Sequence, residues 1–538
     1  MQAKILTLIA LLAMGICGLL AQNDMVIIAQ INGEHHRSWF GSSMASLDFN
    51  HDGYDDLIVC ARNYGYLYPS TPGRGKVYVY YGGPDFNAET PPAMTLEGTY
   101  NGTSGRTIGS VHNIGDVNGD GFEDLCLYDY DPNIIEDSKL QIFFGSCIDL
   151  VTPDLIISIP GYYYLLSTNS LGDFNGDGFD DIGLGYSIPS IGRIYTIYFD
   201  IVWGGDYEQE TVSSGEANVS YVSSINGIGD INNDGYDDFA IGFSGPSTNA
   251  SYNLIRLYYG NQAGSVSNPV TLIQTTEPVT HVSVPLGDMN SDGYDDFMGY
   301  LSNFGMHAWL GGQSINYTTP SFNLSPVWCG GEFAGALVYG DFNSDGYSDV
   351  IGADNVEKKF SLWLGRQNVN GTSDFIYHRP GSTNFGYTLA AGDFNADGFD
   401  DLAVSAPFEN SPPPQGTFYG FVWIHAGNAE LEDTTVAIDD SVIPGVGEQF
   451  TVSISPNPVH SSSGFVTVKV SGTKLPESAQ GTAEIFNIRG QRVFSTVFQV
   501  RAQSATATLT VTELPTGVYT CRVTVAGSIA THRFTRLF

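Results

Sequence analysis

An all-β fold of seven like units, with a small β-domain after them, is predicted by three observations. A nine-residue acidic motif occurs seven times in the 538 residues, beginning at Asp48, Asp116, Asp173, Asp230, Asp288, Asp341 and Asp393, at steps of 68, 57, 57, 58, 53 and 52 residues. A near-constant period of that length marks one structural unit repeated. The composition is rich in glycine (64) and aromatic residues (13%) and low in charged ones (15%), which suits a turn-rich β protein. Charge also changes sign along the chain. Residues 1–449 hold 13 Lys+Arg against 55 Asp+Glu, a net of −42, whereas residues 450–538 hold 8 against 3, a net of +5.

The first element is a leader. Lys4 precedes an apolar run at 5–20. That length is short for a membrane span and right for the core of a signal peptide, so residues 1–21 are assigned as one. No later stretch is apolar for long enough to span a bilayer, and the mature chain is expected to carry no transmembrane helix. The segment Met25-Val26-Ile27-Ile28-Ala29-Gln30-Ile31 follows. It reads as a strand, and its partner is sought at the far end of the repeats.

Each repeat has one plan. An apolar pair stands eight residues before the motif, as in Phe40-Gly41, Ile108-Gly109, Phe333-Ala334 and Phe385-Gly386. A short strand then leads to a glycine just before the first Asp in six copies (Gly115, Gly172, Gly229, Gly287, Gly340, Gly392). A second strand follows the motif, such as Leu57-Ile58-Val59 or Leu402-Ala403-Val404. A third ends in Gly, such as Val77-Tyr78-Val79-Tyr80-Tyr81-Gly82, and a weaker fourth follows in most repeats, such as Val270-Thr271-Leu272-Ile273. Four short antiparallel strands per unit make one propeller blade. Residues 24–427 are therefore predicted to form a seven-bladed β-propeller. The seventh unit ends near Gly427 without a clear fourth strand. Residues 25–31 are expected to complete it and close the ring, removing two open edges.

Residues 428–449, acidic and with Ser, Thr and Gly, read as a linker. Residues 450–538 open on Ser455-Pro456-Asn457-Pro458 and hold five strand-like runs at 465–470, 483–487, 492–498, 505–514 and 517–525. Evenly spaced short strands predict a small immunoglobulin-like β-sandwich. Five cysteines follow the leader: Cys60, Cys126, Cys147, Cys329 and Cys521. This sparse, odd set is not a disulfide framework, and no spacing suggests zinc. Cys60 and Cys126 read as small core residues, with a Cys126–Cys147 bridge left open.

The motif has the chemistry of a calcium loop. Calcium takes six to eight oxygens, and the glycine at position 6 allows the turn that aims alternate residues at one centre. The carboxylates and amides at positions 1, 3 and 5, the backbone carbonyl at 7 and the carboxylate at 9 are the candidate ligands. In chain order they are Asp48, Asn50, Asp52, Tyr54 and Asp56; Asp116, Asn118, Asp120, Phe122 and Asp124; Asp173, Asn175, Asp177, Phe179 and Asp181; Asp230, Asn232, Asp234, Tyr236 and Asp238; Asp288, Asn290, Asp292, Tyr294 and Asp296; Asp341, Asn343, Asp345, Tyr347 and Asp349; and Asp393, Asn395, Asp397, Phe399 and Asp401. Up to seven calcium ions are expected. Magnesium prefers fewer protein ligands and stricter octahedral geometry. An EF-hand would need Glu at position 12 and flanking helices. Here position 12 is apolar or Gly, as in Val59 and Leu184, and strands follow. A single copy could equally be an Asp-Gly hairpin turn with its acids in water. Three fixed oxygen positions and a fixed Asp in all seven copies favour the metal.

Strand alternation puts all seven loops on one face, because each joins the first and second strands of its blade. The long connections between second and third strands (62–75, 128–138, 407–416) lie on the other. Candidate ligand-face residues there are Trp39, Tyr64, Tyr66, Tyr68 and Tyr130. Exposed tyrosines offer rigid, amphipathic contact area, and binding concentrates on such loops.

These residues carry two resemblances. With Phe40-Gly41, Phe385-Gly386, Gly352-Ala353, Ala406-Pro407 and the seven loops, the repeats resemble the FG-GAP repeats of the integrin α-subunit propeller over about residues 25–427. The resemblance implies a calcium-binding adhesion module, here with more regular loops than integrins, where only some blades carry the ion. The Pro-Asn-Pro entry, the hairpin Ile485-Phe486-Asn487-Ile488-Arg489-Gly490-Gln491-Arg492-Val493, the step Leu514-Pro515-Thr516-Gly517-Val518-Tyr519 and the basic tail resemble the C-terminal sorting domain of the type IX secretion system. That implies a secretion-machinery partner, passage across a Gram-negative outer membrane, and release or display at the cell surface.

No catalytic motif stands out. Gly-x-Ser-x-Gly, His-Glu-x-x-His and phosphate-binding glycine loops are missing, and 27 of the 58 acids lie within the seven motifs. The acidic charge disfavours nucleic acid and anionic membranes as partners. The leading expectation is a secreted or cell-surface, calcium-stabilised propeller that binds an extracellular protein or glycan, without enzymatic activity. The alternatives are a polysaccharide-acting or phospholipase-like enzyme on the same scaffold, and a structural surface-layer protein.

Overall fold

The computed structural model describes residues 25–431 and 451–536, apart from 67–72, 102–104, 133, 146–149, 151, 160–163, 188–197, 214–220, 245–252, 268, 276–282, 302–304, 318, 325–335, 380–381, 410–418 and 430 in the first part, and 456–464, 472–477, 488–491, 502–503, 512–513, 515–516 and 526–527 in the second. The leader, Phe333-Ala334, Tyr68, Cys147, Cys329 and most of the linker lie outside the described residues. Within them the regular elements are 35 strands, and no helix is long and apolar enough to cross a membrane. The chain divides into two compact units, one of residues up to Asp433 apart from Ser344–Gly346, the other built on Thr434–Phe538.

The first unit is a ring of antiparallel four-stranded blades. Blade 1 is Phe40–Leu47, Asp56–Ala61, Lys76–Tyr80 and Met94–Glu97; blade 2 is Thr107–Asn113, Leu125–Asp131, Ile134–Phe143 and Leu155–Ser158. Blade 3 is Tyr164–Gly172, Asp181–Ser187, Tyr198–Val202 and Gln209–Ser213; blade 4 is Tyr221–Gly229, Asp238–Ser244, Asn253–Tyr258 and Val270–Thr275. Blade 5 is Ser283–Gly287, Asp296–Leu301, Gly305–Trp309 and Phe322–Leu324; blade 6 is Leu337–Gly340, Asp349–Asp354, Lys359–Trp363 and Phe375–His378. Blades 3 and 4 are also joined by one bridge, Ser187 to Tyr221. First strands of successive blades lie side by side around the axis, and that of blade 7 lies against Phe40–Leu47 of blade 1.

Blade 7 is completed from the other end of the chain. Its strands Leu389–Gly392, Asp401–Ala406 and Phe421–His425 take Ile27–Asn32 as their fourth. Gln30 pairs with Trp423 and Ile31 with Val422. Trp423 Nε1 donates to Gln30 Oε1 (3.0 Å), and Ala426 N to Val26 O (2.8 Å). Met25, Ala29 and Ile31 are buried in the clusters that blade 7 shares with its neighbours. The expected closure by residues 25–31 is the one observed.

Second and third strands are buried on both faces because a blade is sandwiched between two others. All six residues of Asp56–Ala61 and all five of Lys76–Tyr80 are buried. They therefore read as continuous apolar runs, while fourth strands such as Met94–Glu97 stay at the rim. Cys60, Cys126 and Cys521 are buried free thiols, as small core residues are.

The second unit has seven strands: Thr451–Ser455, Phe465–Ser471, Ser478–Asn487, Arg492–Arg501, Ser504–Thr510, Gly517–Val525 and Ser528–Arg536. The sequence indicated five. The two it missed are at the ends, where the Ser455-Pro456 entry and the polar tail obscure the apolar alternation. The tail pairs along the whole of Gly517–Val525. A single bridge, Arg501 to Ser504, links a three-stranded and a four-stranded half. Val466, Val468 and Leu509 of one half share a core with Ile485, Cys521 and Val523 of the other, which makes a small sandwich.

Candidate functional site

The seven loops share one conformation. Position 1 receives backbone N–H groups from positions 5 and 6: Asp48 from Asp52 (3.2 Å) and Gly53 (2.9 Å), Asp173 from Asp177 and Gly178 (both 2.9 Å), and Asp393 from Asp397 (3.0 Å) and Gly398 (2.9 Å). The position-5 carboxylate accepts the N–H of position 7, as in Asp52 from Tyr54 (3.1 Å). The position-3 amide in four copies bridges to position 5, donating to its carboxylate and accepting its N–H, as Asn50 does with Asp52. Asn343 donates to Leu431 O (3.2 Å). At position 6, Gly53 and Gly178 sit at φ 87° and 93°, and a Cβ there would touch nothing within 4 Å. Here glycine is needed for its dihedral, not for space.

Position 9 does more than the sequence indicated. All seven of these Asp residues are 0% exposed. Each accepts the N–H of the glycine that ends the third strand of its own blade, from Gly82 to Asp56 (2.9 Å) through to Gly427 to Asp401 (3.1 Å). The other carboxylate oxygen of Asp56, Asp124, Asp296 and Asp349 takes the N–H of loop position 2. This side chain thus pins the loop to the blade, and the terminal glycine noted in the sequence is its partner.

Positions 8 and 7 reach into the preceding blade. In five of the seven seams the position-8 carboxylate accepts the backbone N–H of position 1 of the blade before: Asp180 from Asp116 (2.8 Å), Asp237 from Asp173 (2.8 Å), Asp295 from Asp230 (3.1 Å), Asp400 from Asp341 (2.7 Å) and, at the closing seam, Asp55 from Asp393 (2.9 Å). This explains the glycine before the motif. A Cβ on Gly172 would lie 2.2 Å from Asp237 Oδ2, and one on Gly229 2.1 Å from Asp295 Oδ2. The two exceptions differ: Leu47 stands in place of that glycine in blade 1, and the next blade has the longer Glu123 at position 8, whereas Gly287 of blade 5 faces Ser348, whose Oγ would lie 2.2 Å from a Cβ there. The position-7 aromatics cover the preceding loop at its position 4, Phe179 over Gly119 and Tyr236 over Gly176.

Crowding of carboxylates sets the electrostatics. Burial, with Asp52 and Asp48 alongside, pushes Asp56 up to about 7. Burial likewise raises Asp124, Asp181 and Asp296 to about 7 and Asp238 and Asp401 to about 8, each beside the carboxylates at positions 1 and 5 of its own loop. Oδ2 of Asp181, Asp238 and Asp401 and Oδ1 of Asn232 and Asn395 are buried without a hydrogen-bond partner. Orphaned oxygens beside mutually repelling carboxylates are what a hard divalent cation satisfies, so the donor set fits calcium. Among the described residues, no three His, Cys, Asp or Glu side chains are already gathered as a metal cage.

These raised values carry a sign. An acid whose folded value lies above its unfolded value binds its proton more tightly in the fold, so stability falls as pH rises through that window. Kept in chelator, the propeller is expected to melt higher at pH 5 than at pH 8, because the six carboxylates with values of about 7 to 8 lose their protons across that range. A scanning-calorimetry series in chelator checks this, and a melting temperature that falls on acidification from pH 8 to 5 contradicts it.

The ring leaves a hollow at each end of its axis. On the loop side a cavity of about 350 Å³ is lined by Glu123, Asp180 and Asp237 with Asn113, Asn169, Asn226 and Tyr339. On the other side a cavity of about 420 Å³ is shared by blades 1, 2 and 3. Ser42, Ser43, Arg62, Tyr128, Tyr130, His112 and Thr168 are among its lining residues, and among the described residues none of the lining side chains is acidic.

The expected ligand-face residues occupy different environments. Tyr130 lines this second cavity, stacked on Tyr128 with ring centroids 5.5 Å apart. Trp39 is half-buried between Phe408 (5.4 Å) and the Arg62 guanidinium (5.4 Å), at a left-handed φ of 56°. Tyr66 lies 6.0 Å from the Arg37 guanidinium. Tyr64, in contrast, is a buried residue at 6% exposure, packed under Lys76 (4.9 Å) and edge-on to His35 (4.8 Å). Asp129, beside Tyr130, is held in an ion pair with Arg106 (2.7 Å). His112, Tyr128, Arg62 and Thr168 were not legible as site residues, since three repeats must come together before they share a wall.

Comparison with known proteins agrees with this architecture. Residues 40–80 and 385–425 match the FG-GAP repeat, residues 230–298 and 341–404 the FG-GAP-like repeat, and residues 453–535 the secretion system C-terminal sorting domain. The chain is similar to integrin alpha-5 of Xenopus laevis, 26% identical over 190 residues, or 32% of this chain and 17% of that protein. Integrin alpha-8 of Mus musculus is 31% identical over 115 residues (21% and 10%), and integrin alpha-3 of Mus musculus 33% over 97 residues (18% and 9%). The matches thus span less than a fifth of each relative's length. The sorting domain marks the chain for export by the type IX route to the outer surface or the extracellular space of a Gram-negative cell.

Proposed function

We propose that this propeller of FG-GAP repeats, exported by its sorting domain, is a calcium-stabilised recognition module that binds an extracellular protein or glycan on the face away from the acidic loops. Calcium at the ligands named above locks the loops and, through positions 7 and 8, the seams between blades. The opposite face is then held as a rigid platform. The observation that carries the binding part is the three-blade cavity. It is concave, polar and aromatic, and its described lining holds no acid, in a part of the chain with 55 acids against 13 basic residues.

Ser110 Oγ lies 2.8 Å from His112 Nε2 in that cavity, a contact that would favour an enzyme. Burial pushes His112 down to about 4, which makes it a weak base at neutral pH. The pair therefore serves the recognition reading better. A fluorophosphonate probe is expected to leave Ser110 unlabelled, and labelling there would restore the hydrolase alternative.

Arrays of extracellular-matrix proteins and of glycans, probed with the mature chain in calcium and again in chelator, test the proposal. Calcium-dependent binding to at least one class at micromolar or tighter affinity is expected. Silence across both arrays in calcium would mean that the chain is not a recognition module of this kind.

A further inference from the structure

We infer that the cavity shared by blades 1, 2 and 3 is a saccharide subsite that takes one neutral sugar unit of a glycan, with Tyr130 as the stacking platform and Thr168 and Arg62 as hydrogen-bonding groups. This rests on the recognition reading above and narrows it to one ligand class at one place.

Four observations support it. The cavity, about 420 Å³, falls in the size range of small-ligand pockets, about 300–1,000 Å³, whereas protein partners are met on broad, flatter surfaces. Its wall carries two parallel tyrosine rings. A flat ring with a polar tip suits a pyranose, which has an apolar C–H face and a rim of hydroxyls. Gly109 makes room for them: a Cβ there would lie 2.9 Å from Tyr128 and 3.2 Å from Tyr130. The third observation concerns hydroxyls. Those of Ser42, Ser43 and Ser167 are tied to backbone groups of Cys60, Val111 and Ile225. Thr168 is only 1% exposed, lines the cavity, and its Oγ1 has no partner. A buried hydroxyl left unsatisfied destabilises the fold, and a bound sugar hydroxyl would satisfy it.

The fourth observation is charge. The Arg62 guanidinium lies over Trp39 at 5.4 Å and lines the cavity. It offers planar donors suited to oxygen pairs. A polyanion would suit the guanidinium alone, but the net charge of −42 on residues 1–449 repels one, even after seven calcium ions. The neutral sugar satisfies the ring, the hydroxyl and the guanidinium without that penalty. Ser110 and His112 complete the wall as a neutral pair at 2.8 Å.

The test is a titration of the mature chain in calcium with neutral gluco-, manno- and galacto-oligosaccharides, polygalacturonate and an Asp-containing peptide, read by calorimetry. At least one neutral series is expected to bind. Tyr130→Ala weakens it tenfold or more, Tyr130→Phe keeps most of it, and Thr168→Val and Arg62→Gln each weaken it several-fold, with circular dichroism confirming the fold of each variant. Saccharide binding that is indifferent to Tyr130→Ala and Thr168→Val places the site elsewhere, and the inference falls while the recognition reading survives. Peptide capture that depends on Arg62 and is not displaced by any sugar makes this a protein-docking pocket, and again the saccharide inference falls while recognition stands. Polygalacturonate binding stronger than any neutral series overturns the charge reasoning and the inference with it. Should no probe here and no array feature bind, both readings fall together.

Discussion

A chain lacking residues 24–32 is expected to melt about 10 °C or more below the intact protein, or to lose its cooperative propeller transition altogether. The strand Ile27–Asn32 is paired along Phe421–His425, and Met25, Ala29 and Ile31 are buried. Full burial of a large aliphatic side chain stabilises by about 1.5–3 kcal/mol, so the strand and the partner face it covers account for about 5–10 kcal/mol. Extending the size scaling of unfolding entropy to a propeller of this length gives about 1–2 °C for each kcal/mol. The truncated chain also exposes two strand edges, and concentration-dependent association should accompany the loss. Calorimetry of the two chains decides it. Equal melting would show that the ring does not depend on this closure.

The second large effect is metal removal. Saturating calcium is expected to raise the propeller melting temperature by upward of about 10 °C over chelator. A site filled at a hundred times its dissociation constant contributes about 2.7 kcal/mol, so four filled loops already give about 10 kcal/mol. Without the ion, the buried oxygens of Asp181, Asp238 and Asp401 stay unsatisfied and their carboxylates crowd one another. Scanning calorimetry with and without chelator, with anomalous scattering to count ions, is the check. Identical melting with loops empty of anomalous signal would refute the calcium assignment.

The parts legible in the sequence were those written within one repeat. The count of blades, the strand order and the closing segment follow from the motif period and from apolar runs such as Leu57-Ile58-Val59. The parts that were not legible cross between repeats. Asp237 is acidic because the N–H of Asp173, 64 residues earlier, needs an acceptor. The trace in the sequence is the pairing, at five seams, of an Asp at position 8 with a glycine before the motif of the previous unit, and its change at Leu47 with Glu123 and at Gly287 with Ser348. Tyr64 looked like a loop tyrosine because the connection 62–75 is long. It is buried because Lys76 and Arg74 lie over its ring. The cavity could not be read from any one unit, since Arg62, Tyr130 and Thr168 come from three.

The seam bonds bear on how such a ring could have grown. Five of the seven units carry a hook behind that meets an eye on the unit before, and the joint between Asp393 and Asp55 uses the same pair as the joint between Asp173 and Asp237. A duplicated unit arrives with both halves of its attachment and needs no new interface on either neighbour. Lengthening by tandem copying of such a unit preserves the joints on both sides of it, and curvature fixes the number at which the last hook meets the first eye.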